Sequence, residues 1–212
     1  MAALVKSGFR NQAYTLLRER ILNQHYRFGE RLNIDILSRE MSISNNPIRE
    51  ALTMLEKDGL ITMTPNVGSK VIEFTAESFR ELTQTIELLI AGAYQICIDE
   101  GRMDALIERM EEALAAQHQA QNSDREFAMA AIRFDESFVK VTRNQRLIDL
   151  FDSQMDIFQM ALLYDYQTRD IDKKANLVEH EEILLATKQG DHKLVRQVIN
   201  RHYAREIAFP KK

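Results

Sequence analysis

With 212 residues, 45% of them hydrophobic and 28% charged, the chain has the composition of a folded protein with room for two modules, which excludes a disordered one. The lone Cys97 excludes an internal disulfide and fits a reducing cytoplasm, and the most apolar stretch, Leu88 to Ile98, is too short for a membrane span. The net charge of −4 is unevenly divided: residues 1–74 carry ten Lys or Arg against eight Asp or Glu, and residues 75–212 carry 18 against 24, so a polyanionic partner is expected only at the first part.

A helix is predicted from about Arg10 to Gln24, ending in the polar turn Phe28-Gly29-Glu30, and two shorter helices follow over 33–41 and 45–57. Leu60-Ile61-Thr62-Met63-Thr64 and Lys70-Val71-Ile72-Glu73-Phe74 alternate as strands around Pro65-Asn66-Val67-Gly68-Ser69, a five-residue hairpin loop. Three helices and then a hairpin is the order of a winged helix-turn-helix. After residue 70 glycine and proline become rare, and six helices are predicted: from Glu77 to near Gly101, then 103–121, 124–141, 145–166, 173–189 and 191–208. The expected fold is mainly α, with a winged helix-turn-helix domain over 1–74 and an antiparallel helical bundle over 75–212.

Ser44 is placed to cap the helix that runs through Pro47, and Pro47 falls in the first turn, where no N–H is needed. Such a helix offers its N-terminal side chains to base edges in the major groove of double-stranded DNA. Here these are Asn45, Asn46 and Arg49, with Ser44 near phosphate, while Ile48, Leu52 and Leu55 form the stripe that faces the core. Asn bonds adenine through N6 and N7, and Arg suits guanine or phosphate. Each polar residue alone reads as a solvated helix start; the surrounding helices and wing make them candidates.

In the second part three residues of metal-ligand type fall on apolar helix faces. Asp135 follows Ile132 and precedes Phe138 and Val139, His180 lies between Leu177 and Ile183-Leu184, and His202 follows Val198 and Ile199. A buried carboxylate needs a partner. Three arrangements supply one: a divalent cation held by all three, a hydrogen-bonded Asp–His cluster, or the polar wall of a ligand pocket. The run Phe151, Met155, Phe158, Leu162 reads as core or as a seam between subunits, with an adaptable ligand-binding wall as the lesser alternative.

The run Gly29-Glu30-Arg31-Leu32, Leu37-Ser38, Ser44-Asn45-Asn46-Pro47-Ile48-Arg49-Glu50-Ala51-Leu52, Leu55, Asp58-Gly59-Leu60-Ile61 and Gly68 resembles the N-terminal domain of GntR-family regulators. The resemblance implies a transcription regulator, expected to be a repressor, acting as a homodimer on a near-palindromic operator. It also implies that the wing tip enters the minor groove, bringing Asn66, Val67 and Gly68 near the DNA backbone. Where the family usually has Ser-Arg-Thr-Pro this chain has Ser44-Asn45-Asn46-Pro47, so the guanine-reading Arg is replaced by Asn45 and a shift towards adenine is expected.

Asp135-Glu136-Ser137-Phe138, Asn144, Leu147, Glu179-His180 through Ala186, Gly190-Asp191 and His202 resemble the FCD sensor domain of the FadR subfamily. Metal-binding members use one Asp and three His, which implies a Zn²⁺ or Ni²⁺ site at Asp135, His180 and His202. The first His of the pattern is Val139 in this chain. The same residues, Asp135, Val139, His180 and His202, are the expected wall of the effector pocket. Family effectors are often small carboxylates, but Thr83 stands where many members carry an Arg four residues before the Glu matched by Glu87. Two other classes compete with the regulator: a metal-dependent enzyme built on Asp135, His180 and His202, and a winged-helix protein-interaction module. No nucleophile motif or nucleotide loop supports the enzyme.

Overall fold

A computed structural model describes residues 2–65, 67–168 and 173–206 of the chain. It divides into two compact units, Met1–Glu73 and Phe74–Lys212.

The first unit opens with α1 (Ala2–Leu22), whose Ala13, Leu17 and Ile21 recur every fourth residue and are buried. This helix begins well before the Arg10 expected. After Gly29 comes a two-residue strand, β1 (Arg31–Leu32), which periodicity cannot detect at that length. Gly29 has φ +74, a backbone conformation that favours glycine, and a Cβ there would have to displace the end of the Glu73 side chain, 2.6 Å away. Helix α2 (Ile34–Met41) is capped by Asn33, whose side chain accepts from the Asp35 and Ile36 amides at 2.9 and 3.1 Å.

Helix α3 (Asn45–Lys57) packs on α1 and α2 through Pro47, Ile48, Ala51, Leu52 and Leu55, all buried. Ile48, Leu52 and Leu55 are 0% exposed, and burial of each contributes about 1.5–3 kcal/mol. Strands β2 (Ile61–Thr64) and β3 (Gly68–Val71) pair in register from Ile61 with Val71 to Thr64 with Gly68, and β1 adds to the other side of β3. The sheet is therefore three-stranded in the order β1-β3-β2. The hairpin loop has three residues, not five, because Gly68 and Ser69 already pair with Thr64 and Met63. Ile72 still donates to the Leu60 carbonyl, but the expected strand through Phe74 ends at Val71.

The second unit is a bundle of seven helices among the described residues: α4 (Ala76–Asp99), α5 (Met103–Gln119), α6 (Asp124–Val141), α7 (Gln145–Asp152), α8 (Met155–Thr168), α9 (Lys173–Gln189) and α10 (His192–Glu206). A capping box between Thr75 and Ser78 starts α4, and Gly101 at φ +65 ends it, bringing the Arg102 amide back to the Cys97 carbonyl at 2.8 Å. Eleven of the 18 residues of α6 are buried, because α4, α5, α7, α8 and α9 all pack on it.

One expected helix over 145–166 is two. The chain turns at Ser153-Gln154, where the Ser153 hydroxyl donates to the Leu150 carbonyl at 2.6 Å and the Gln154 amide to Phe151 at 2.9 Å. Local bonds of this kind compete with the helical ladder. The break lets α7 lie against both α4 and α6 while α8 lies on α6. Phe151, Phe158 and Leu162 are core, with Met155 half-buried beside them. The end of the last expected helix, 207–208, falls outside the described residues.

Candidate nucleic-acid interface and metal centre

Helix α3 divides its residues between two environments. Ser44, Asn46 and Arg49 are exposed and Asn45 is half-buried, all at or beside the helix start, while the opposite face is packed as described. Ser44 occupies the cap position with an extended backbone (φ −70, ψ 163), but its side chain makes no capping hydrogen bond. Both asparagine amides donate to carboxylates: Asn45 Nδ2 to Asp35 Oδ1 at 2.8 Å, and Asn46 Nδ2 to Glu50 Oε1 at 2.7 Å. Their carbonyl oxygens are thereby turned away from those carboxylates. Asp35 is a partner that the sequence did not suggest. Its signal was its place in the first turn of α2, ten residues before Asn45. In the wing, Gly68 is exposed with φ +101, and Asn66 lies outside the described residues.

In the second unit Asp135 from α6, His180 from α9 and His202 from α10 come together. One oxygen or nitrogen from each lies within 4.8 Å of the others, and the residues are 5%, 1% and 2% exposed. The His180 and His202 rings stand 5.0 Å apart, and Phe134 stacks on His180 with centroids at 4.1 Å and planes within 9°. Val139, one turn beyond Asp135, is fully buried.

Each of the three has a neighbour that the sequence reading missed. His180 Nδ1 meets Gln117 Oε1 at 2.8 Å, and Gln117 Nε2 donates to Asn176 Oδ1 at 2.6 Å. His202 Nδ1 meets Glu179 Oε2 at 2.8 Å, with Arg201 Nε 3.8 Å from the other Glu179 oxygen. Tyr203 neighbours Asp135 and favours its charged form. Gln117 carried a legible signal, since Leu106, Met110, Ala113 and Leu114 put it on the buried arc of α5. Glu179 and Tyr203 were masked by adjacency to His180 and His202, which drew the inward assignment alone.

Burial pushes the Asp135 carboxyl up from 3.8 to about 8, opposed by the neighbouring Tyr203. Two imidazoles and a carboxylate drawn together out of water are a donor set that suits a divalent cation of the zinc or nickel class. Val139 leaves that set with three protein donors. Thr83 is buried and donates to the Arg80 carbonyl at 3.1 Å, while Glu87 accepts from Asn200 Nδ2 at 2.9 Å. Among the described residues no helix is long and apolar enough to cross a membrane.

The family model for bacterial regulatory proteins of the gntR family matches residues 9–71, and that for the FCD domain matches residues 74–205. An HTH-type transcriptional regulator of Bacillus subtilis, YdhC, is 28% identical over 195 residues, covering 91% of this chain and 86% of its own. The Nta operon transcriptional regulator of Aminobacter aminovorans is 26% identical over 174 residues, 80% of each chain. The crystal structure of a putative GntR regulator from Rhodococcus sp. RHA1 superposes with a TM-score of 0.75 at 19% identity, covering 95% of this chain and 99% of that one. That likeness shows the shared fold. With the two models together spanning nearly the whole chain, the protein belongs to the GntR family of bacterial transcription regulators and carries an FCD domain.

Proposed function

We propose that the protein is a metabolite-responsive repressor that binds a near-palindromic operator as a homodimer, with affinity set by a small molecule and a divalent metal in the FCD domain. The observation that carries the DNA-binding half is the division of α3, which exposes Asn46 and Arg49, half-exposes Asn45, and buries Ile48, Leu52 and Leu55. Asn45, Asn46 and Arg49 read base edges, Ser44 meets phosphate, and the wing with Asn66 and Gly68 follows the backbone. The sensing half rests on the buried Asp135, His180 and His202. These residues hold Zn²⁺ or Ni²⁺, and with Val139 they form the wall against which the effector binds. A cation there supplies a Lewis-acidic anchor for an anionic effector such as a small carboxylate. The effector changes operator affinity only as far as it binds one state of the dimer better than the other. A regulatory family gives the triad no catalytic task, and no metal-dependent turnover is expected.

Selection of duplexes from a random pool tests the first half. The expected result is a palindromic site bound by a dimer, with Asn45→Ala and Arg49→Ala each weakening it by about 1–3 kcal/mol. Equal binding of the selected site and random DNA at moderate salt sinks the regulator reading. Native mass spectrometry with elemental analysis of the purified protein tests the second half, and a mass without metal before and after Zn²⁺ or Ni²⁺ addition sinks it.

A further inference from the structure

Each imidazole of the Asp135, His180, His202 cluster has two ring nitrogens, and in both rings Nδ1 is engaged by an acceptor on another residue. Gln117 Oε1 stands 2.8 Å from His180 Nδ1, while the same side chain's Nε2 donates to Asn176 Oδ1 at 2.6 Å. Glu179 Oε2 stands 2.8 Å from His202 Nδ1 and, as a carboxylate oxygen, can only accept. An acceptor at Nδ1 requires Nδ1–H in a neutral ring, which makes Nε2 the nitrogen with a lone pair. Both rings are thus held in the tautomer in which the nitrogen away from the supporting residue can bind a metal.

The two supports differ in charge. Gln117 is a neutral amide, whereas Glu179, 8% exposed, brings a second carboxylate into a site that already holds Asp135. With a divalent cation in place of the Asp135 proton the site holds two carboxylates, one of which Arg201 Nε also faces at 3.8 Å.

We infer that Glu179 and Gln117 are positioning residues of the metal site, Glu179 aligning His202 with a carboxylate behind its ring, and Gln117, held by Asn176, aligning His180. The inference rests on the metal reading above and names residues outside its ligand set. A carboxylate on Nδ1 also strengthens the imidazole as a donor, so Glu179 outweighs Gln117.

The test is competition between the full-length protein and a chromophoric chelator for Zn²⁺, with the absorption spectrum of the Co²⁺ form as a second readout. Glu179→Gln keeps an oxygen for His202 Nδ1 and removes the charge. It is expected to weaken Zn²⁺ binding about 10–100-fold and to shift the Co²⁺ bands, while the metal-free variant melts within a few degrees of wild type. The double variant E179Q/Q117E moves the carboxylate to the other imidazole and is expected to regain most of the loss. Wild-type affinity and an unchanged Co²⁺ spectrum in Glu179→Gln overturn the positioning role and leave the metal reading standing. Absence of Zn²⁺ binding by the wild type removes both. Long-range ¹H–¹⁵N spectra of the metal-free wild type give a check that needs no variant: Nδ1–H on both rings supports the assignment, and Nε2–H on either overturns it for that ring.

Discussion

Asp135 is a carboxyl group where a carboxylate is poorly solvated, and its pH behaviour follows from that. With a folded-state value near 8 against 3.8 when exposed, the folded protein holds this proton more tightly than the unfolded chain does. The stabilisation it gives the metal-free protein is complete below 3.8 and is lost as pH rises through about 8. A cation must displace that proton, so Zn²⁺ affinity is expected to climb as pH rises from about 6 to 8, and a flat profile in buffered competition titrations would contradict the burial argument. Cys97 shows the same effect on a thiol. Buried at 0% exposure, its thiol is pushed up to about 11, so it should resist a disulfide reagent at neutral pH until denaturant is added. In the winged-helix unit, Asp35 holds the Asn45 amide and places a negative charge beside the residues of α3 proposed to read DNA. Asp35→Ala is expected to raise affinity for random duplexes and to narrow the ratio between operator and random DNA, measured by fluorescence anisotropy at fixed salt.

Elements were legible in the sequence to the degree that their residues formed long patterns. The apolar spacing of α3 and α6 and the breaker-poor composition after residue 70 carry the architecture without tertiary help. β1 did not, because two residues have no period and exist as a strand only through pairing with Lys70 and Ser69 of β3. The α7–α8 break was equally silent: Ser153-Gln154 contains no glycine or proline, and its cause is a hydroxyl-to-carbonyl bond together with the different packing partners of the two helices. Caps were the local signals with the clearest mechanism. Thr75 accepts from the Ser78 amide at 3.1 Å and Ser78 returns the bond at 3.0 Å, so Thr75→Ala should cost the α4 end about 1 kcal/mol in chemical denaturation. Ser44, by contrast, sits at its cap position without bonding the helix, and Ser44→Ala should leave stability nearly unchanged while weakening DNA binding.

At the scale of the whole molecule, the division into units at residues 73 and 74 gives each half its own core. Zn²⁺ at 100 times its dissociation constant is expected to stabilise the second unit by about 2.7 kcal/mol. Calorimetry should show that gain in the transition carried by residues 74–206 and leave the reading head's transition in place. The site was legible in part for a physical reason. Inward direction follows from helix periodicity, which brought Asp135, His180 and His202 forward; convergence of Gln117 and Tyr203 on them is a property of how four helices are arranged, which no single-helix pattern contains. The enclosure of α6 by five other helices has a further consequence in time. Its amides can meet solvent deuterium only when the second unit opens as a whole, so the Phe127–Val141 stretch should be the last to exchange. Asp135 rides on that segment, whereas His180 and His202 sit on α9 and α10, so an ion that binds the cluster is expected to slow exchange in those two helices more than in α6.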